Sequence, residues 1–297
     1  MIALLDPEVA LGCCRFLHDV AAMLLWGAFA YLATLVPANL ALPLGRRLNG
    51  VRVTAIMLVL LTAAATLPLQ GAMIGDGWPD AVNASMLWAI LTDPGMGRAF
   101  AVEMSASLLL ATTLLAGNKW ALATTAIGAG LVLVGLALSG HAAMQEGWIG
   151  AAHQANDAVH VLASGGWLGA LLPLVLLLGG VKHSPRRGTM TALRRFSAAA
   201  HVAVALTILT GIANAGLTMG PLRVDWASPY QILLAAKLAL VAVLLGFAVA
   251  NRYRFMPAMW EDGAKSARAI RKGAIFEIGI GMGVVALVSV FGMLDPA

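Results

Sequence analysis

Charge is what this sequence has least of. Asp, Glu, Lys and Arg make up 11% of its 297 residues, where a soluble domain carries about 25%. With 60% hydrophobic residues and a mean hydropathy of +0.86, that scarcity excludes an ordinary water-exposed surface. Cysteine is also scarce. Cys13 and Cys14 are adjacent, so pairing them with each other cannot close a long loop. Where a secretory signal would carry basic residues, the N-terminus carries Asp6 and Glu8, with no small-residue cleavage pattern. The first apolar segment is therefore expected to be retained. No HExxH, Walker loop or dinucleotide fingerprint occurs, and no nucleophile stands beside an acid–histidine pair, so the expectation is not an enzyme. The apolar runs do not alternate, which excludes a β-barrel.

What the sequence does have is a series of apolar runs of about twenty residues, long enough to cross the hydrocarbon core as helices. Spans are expected near 14–38, 51–73, 98–116, 120–140, 154–180, 194–219, 229–250 and 272–294. Irregular backbone cannot face lipid, so the predicted class is all-α: a polytopic integral membrane helix bundle with eight transmembrane helices. It is read as one membrane domain over residues 1–297. Spans three and four are separated only by GNK (117–119) and must form a tight antiparallel hairpin. The 74–97 connection, with SMLWAILTDPGMG, is expected to hold a short helix at the membrane interface.

Lysine and arginine set the orientation. Alternate connections hold Arg46, Arg47 and Arg52, then Lys119, then Lys182 through Arg195, then Arg252 through Lys272, together 15 of the 19 basic residues. The opposite connections carry Asp6, Glu8, Asp76, Asp80, Asp93, Glu146, Asp225 and Asp295. The positive-inside rule then places the basic loops in the cytoplasm and both termini outside. It also accounts for the +5 net charge without nucleic acid.

Four ionisable residues fall within or near the ends of spans: Glu103, His201, Lys237 and Glu277. Charge at that depth must be paired, hydrated or neutralised. By depth, Glu103 and Lys237 are candidates to pair with each other across the bundle, and Lys237 has the alternative of snorkelling. Glu277 and His201 lie toward the cytoplasmic side, with Glu277 expected to meet the basic end of its own span or loop.

The histidines are unevenly placed. His18, His141, His153 and His160 all fall toward the outer side, whereas His183 lies in a basic loop. His153, Asp157 and His160 are spaced i, i+4, i+7, one helical face if the fifth span has begun by residue 153. Imidazole suits copper, zinc, iron and nickel, and thioether sulfur favours Cu(I). Met73, Met86, Met96, Met104 and Met144 share that side. Two readings stand at this point: a site receiving a soft metal ion, or histidines at the interface with a structural role. In the sixth span His201, Thr207, Thr210 and Asn214 form a polar thread that either lines a path or bonds neighbouring helices. Gly165 and Gly169 in SGGWLG read as close helix packing. A haem-binding bundle would need facing histidines at matched depth. His160 and His201 do not match, while His18 with His160 or His141 stays open.

The runs VHVLASGGWLGALLPLV (159–175), LRRFSAAAHVAVALTILTGIANA (193–215), SPYQILLAAKLALVAVLLGFAVANRYRFMP (228–257) and RKGAIFEIGIGMGVVALVSVFG (271–292) resemble the copper resistance protein D family. CRFLHDVAAMLLWGAF (14–29) and SGHA (139–142) add to the resemblance. It implies an eight-span bacterial inner-membrane protein of copper homeostasis, thought in that family to move copper from periplasm to cytoplasm, often beside a small periplasmic copper-binding partner. No such partner domain is fused here, so a partner would be separate. Positions matching the family's polar residues are His141, His160, Asn214, Lys237, Asn251 and Glu277, with Trp167 and Pro173. In this light Lys237 and Glu277 become a candidate pair within the bundle.

The expected function is therefore copper homeostasis and transport, with copper taken at the periplasmic face as Cu(I) or Cu(II). The expected metal-binding residues are His141, His153, His160 and His18, with Met144 and Met104. Asp157 and Glu103 attract the cation or support its ligands, and His201, Asn214, Lys237 and Glu277 lie further along the path. Imidazole must be neutral to bind, so metal affinity is expected to fall below a pH of about 6.5. The alternatives are a haem- or quinone-linked redox membrane protein and a non-transporting membrane partner of a periplasmic copper-binding protein.

Overall fold

The computed structural model describes residues 6–117, 120–138, 147–181, 187–219, 228–259 and 261–291. Ten helices organise them: α1 (Pro7–Thr34), α2 (Ala38–Arg47), α3 (Asn49–Ile74), α4 (Ala84–Thr92), α5 (Met96–Thr112), α6 (Ala121–Leu136), α7 (Gly147–Gly179), α8 (Arg187–Met219), α9 (Pro229–Ala250) and α10 (Gly263–Phe291). A π turn, Asn251–Phe255, and one further helical turn, Met256–Ala258, continue α9. No strand occurs among the described residues. The protein is an all-α membrane bundle in which α1, α3, α5, α7, α8, α9 and α10, seven helices, are long and apolar enough to cross a bilayer. In the described part of the run expected at 120–140, α6 covers Ala121–Leu136 and is shorter than those seven helices.

Helix ends follow local chemistry. The Asp6 carboxylate accepts the Glu8 amide at 3.0 Å and Pro7 occupies the first position of α1. Asn83 caps α4, and Ser228 followed by Pro229 starts α9. Helices α7, α8 and α10 begin well before the apolar windows that predict them, because Arg, Lys, Ala and Gln are good helix formers outside lipid as well. The connection expected between the first two spans, 39–50, is likewise largely helical, through α2 and the start of α3. A short helix does occur in the 74–97 connection, as α4.

Helices α1 and α7 form the central pair. Helices α3, α5 and α6 pack on one side of it, and α8, α9 and α10 on the other. Leu25, Phe29 and Leu32 of α1 meet Ile56 and Val59 of α3, Leu110 of α5 and Leu133 of α6 in a core closed to solvent. Where α1 crosses α7, small residues let the backbones touch. A Cβ on Gly27 would overlap the Gly165 carbonyl, and one on Gly169 the Met23 carbonyl. The packing role expected for Gly165 and Gly169 is thus met by Gly27. The Trp26 indole donates to the Leu162 carbonyl across the same seam at 2.8 Å. Side chains such as Leu61, Ile127, Leu209 and Leu238 project outward, while Trp88, Trp120 and Trp148 are exposed at or near helix ends, as in an interfacial aromatic belt.

Candidate functional site

Polar residues gather at the end of the bundle where α1 begins, in two clusters. The first lies between α1, α3 and α5. His18 is 3% exposed, and its Nδ1 stands 2.9 Å from the Thr62 hydroxyl. Thr62 has one hydroxyl proton, directed at the Leu58 carbonyl (2.7 Å) and shared with that of Val59 (3.0 Å). Its oxygen is therefore the acceptor and His18 Nδ1 the donor, which leaves the lone pair on Nε2. That Nε2 is buried, has no hydrogen-bond partner among the described residues, and lies 3.7 Å from Glu103 Oε1. One turn earlier on α1, the Cys14 thiol donates to the Thr62 carbonyl at 3.4 Å. Asp19 is an electrostatic neighbour of Glu103 and of Arg15.

The second cluster joins α7, α8 and α9. The Asn156 amide donates to the Asn214 side-chain oxygen (2.6 Å) and the Thr210 carbonyl (2.9 Å). The Asn214 amide donates to Asp157 Oδ1 at 2.7 Å. His160 Nδ1 stands 3.0 Å from the Thr210 hydroxyl. That hydroxyl is committed to the Leu206 carbonyl, so His160 repeats the tautomer of His18. Lys237 faces Asp157 and His160 as a charge neighbour. His153 is 2% exposed, with Asp157 as its electrostatic neighbour.

Several expected pairings differ. Glu103 meets His18 and Asp19 rather than Lys237. Lys237 does not pair with Glu277. Asn251 lies about 21 Å further along α9 at about 1.5 Å per residue, and it is Asn251 that donates to Glu277 Oε1, at 2.6 Å. Glu277 is buried between this amide and the Trp167 side chain, and among the described residues it makes no salt bridge to the basic end it was expected to meet. His201 is exposed. Its Nδ1 meets the Ser197 carbonyl (3.1 Å) and its Nε2 the Tyr253 hydroxyl (3.4 Å), so it does not continue the thread from Asn214. Thr207 returns its hydroxyl to Ala203. Met104 is half-buried beside Glu103 in the sequence. His141 and Met144 lie outside the described residues.

His18 and His160 turn to different neighbours, α3 and α5 for one and α8 for the other, so they do not face each other across one cofactor. A cavity of about 550 Å³ between α1, α7 and α8 is lined by Trp26, Trp167, Tyr31, Thr34 and apolar side chains, with no histidine among the described residues. Among the described residues no group of three or more His, Cys, Asp or Glu is placed to hold a metal ion. What the first cluster offers is a pair. Metal bonds to imidazole and carboxylate are about 2.0–2.2 Å, so two ligand atoms 3.7 Å apart can share one ion. Thr62, which fixes His18, and Asn156, which holds Asn214, carried no sequence signal beyond being polar residues in apolar runs.

Residues 4–151 match the copper resistance protein D-like N-terminal domain, and residues 190–291 match copper resistance protein D. The chain is 30% identical over 286 residues to inner membrane protein YebZ of Escherichia coli (strain K12), covering 95% of this chain and 97% of that one. It is 32% identical over 258 residues to copper resistance protein D of Pseudomonas syringae pv. tomato, covering 82% of each. No solved structure gives a significant match.

Proposed function

Because the chain belongs to the copper resistance protein D family, we propose that it is a bacterial inner-membrane protein that accepts copper at its periplasmic face and passes it toward the cytoplasm. The observation that carries this reading is the buried Nε2 of His18, tautomerically free and 3.7 Å from Glu103 Oε1. A buried nitrogen lone pair with no hydrogen-bond partner among the described residues, opposite the Glu103 carboxyl group, suits a cation better than it suits packing. His18 and Glu103 form the seat. His160, His153 and Met104, with His141 and Met144, supply further weak ligands near the same end, and Asp157 attracts the ion. Asn214 and Lys237 hold the second cluster in place. Copper is cargo in this reading, and weak sequential ligands favour its release.

The topology proposed with it has eight crossings, α6 being the eighth and paired with α5, and both termini periplasmic. The distribution of Lys and Arg supports that orientation. The partner is a separate periplasmic copper-binding protein. Copper flux into proteoliposomes, under Cu(I) and Cu(II) conditions, tests the function. Uptake by the full chain that falls at least tenfold in both H18A and E103Q is expected. Copper bound without flux would make the chain a non-transporting membrane partner. Unchanged flux in both variants would remove His18 and Glu103 from the path.

A further inference from the structure

At the other end of the bundle, α9 passes into the π turn Asn251–Phe255. Single π turns within helices re-aim side chains and recur at functional sites. Here the first three residues of the turn each reach another helix. Asn251 donates to Glu277 on α10, Arg252 donates to the Ser197 hydroxyl on α8 at 2.9 Å, and the Tyr253 hydroxyl meets His201. All of them line a cavity of about 280 Å³ between α7, α8, α9 and α10. That volume holds several waters at about 30 Å³ each.

Glu277 stands at this cavity with 1% exposure. Its partners are neutral: the Asn251 amide and the Trp167 side chain. Among the described residues no cation forms a salt bridge with it. The charged or titratable groups that line the cavity with it are Arg252, held by Ser197, and Tyr253 and His201, which meet each other; Arg271, six residues before it on α10, lies beside Gly179 of α7. From α7 it meets Trp167, which does not titrate. A carboxylate at this depth, given hydrogen bonds but no counter-charge, has the proton as its compensating partner.

The neighbouring amide is built to register that proton. Asn251 Oδ1 is a buried acceptor with no donor among the described residues, lying over Gly273, where an added Cβ would come within 3.1 Å of it. An ionised Glu277 accepts the amide NH2. A protonated Glu277 carries an O–H that the amide oxygen can accept once the amide turns over. We propose that Glu277 is a proton-binding site of this membrane bundle, loaded from the arginine-rich end through the 280 Å³ cavity and read by the Asn251 amide. The step is a simple acid–base exchange: the proton adds to a Glu277 carboxylate oxygen from water in the cavity and returns to it. The proposal stands independently of the metal reading, since the seat at His18 lies at the opposite end.

Infrared difference spectroscopy of the full chain in lipid nanodiscs, titrated with pH, tests it. The expected result is a protonated-carboxyl stretch that titrates, shifts in D2O, and is lost in E277Q. N251L is expected to keep the band but change its frequency, and A248W, which fills the cavity, is expected to slow the deuterium shift. A titrating band that persists in E277Q overturns the proposal. So does a band lost in E277Q that never responds to pH, which would make Glu277 a permanently protonated packing residue. Copper flux is not part of the readout, so failure here leaves the transport reading intact, and the reverse holds.

Discussion

The Nε2 atom of His18 faces Oε1 of Glu103 across 3.7 Å inside the bundle, with no hydrogen-bond donor to that nitrogen among the described residues. Thr62 on α3 enforces the arrangement by taking the Nδ1 proton. In Thr62→Val the ring loses the bond that fixes its tautomer, and copper affinity is expected to fall about tenfold. Glu103→Gln removes the charge opposite the lone pair and is expected to cost more. Competition against a chromophoric copper chelator measures both. Equal affinity in wild type and Thr62→Val would show that the tautomer is not set for metal.

Asn214 bridges α7 and α8 by accepting from Asn156 and donating to Asp157. Asn214→Leu removes one hydrogen bond from each of these partners, at a cost of about 1–3 kcal/mol. Thermal unfolding of the purified protein in detergent should show a lower midpoint. An unchanged midpoint would assign the network no structural weight.

Gly169 rests on the Met23 carbonyl and Gly27 on that of Gly165. Gly169→Val forces α1 and α7 apart, at about the 3 kcal/mol upper end of the range for overpacked contacts. Size-exclusion and proteolysis profiles of this variant are expected to report a loosened bundle. Gly246→Ala, where no atom lies near the added Cβ, serves as the silent control.

Asp80 organises the connection between α3 and α4. It accepts the Asp76 amide at 2.7 Å and the Asn83 side chain at 2.8 Å. These two hydrogen bonds, the backbone one foremost, hold its carboxyl below the ordinary 3.8. A carboxyl lowered on folding stabilises the loop above its unfolded pKa and ceases to do so as pH falls through its folded value. Hydrogen exchange at the Asp76 amide is therefore expected to stay slow near pH 3.8 and to accelerate in stronger acid. Asp80→Asn should lose that acid dependence.

The positions of the long helices were legible in the sequence because hydropathy reports depth directly. Partners around the bundle were not. Glu103 and Lys237 lie at similar depths on α5 and α9, yet α5 packs with α3 and α6 while α9 packs with α10. Depth orders residues along the membrane normal and says nothing of which helices touch. The i, i+4, i+7 spacing of His153, Asp157 and His160 did place all three on α7, and it could not show that Asn214 would claim Asp157. Asn251 stood out by resemblance alone. Its aim at Glu277 comes from a π turn, which leaves no periodic trace in sequence.

The contact between Gly27 and Gly169 also has a history in time. During synthesis α1 enters the membrane with its glycine face bare, and the surface that covers it is encoded more than a hundred residues later. At about 5–20 residues per second, α1 waits on the order of ten seconds for α7. Over that interval lipid, or a chaperone of the insertion machinery, must occupy the groove that Gly169 will fill. The first half of the chain is thus an unfinished structure until the second arrives, and a ribosome stalled between them would leave in the membrane a helix whose closest neighbour was never made.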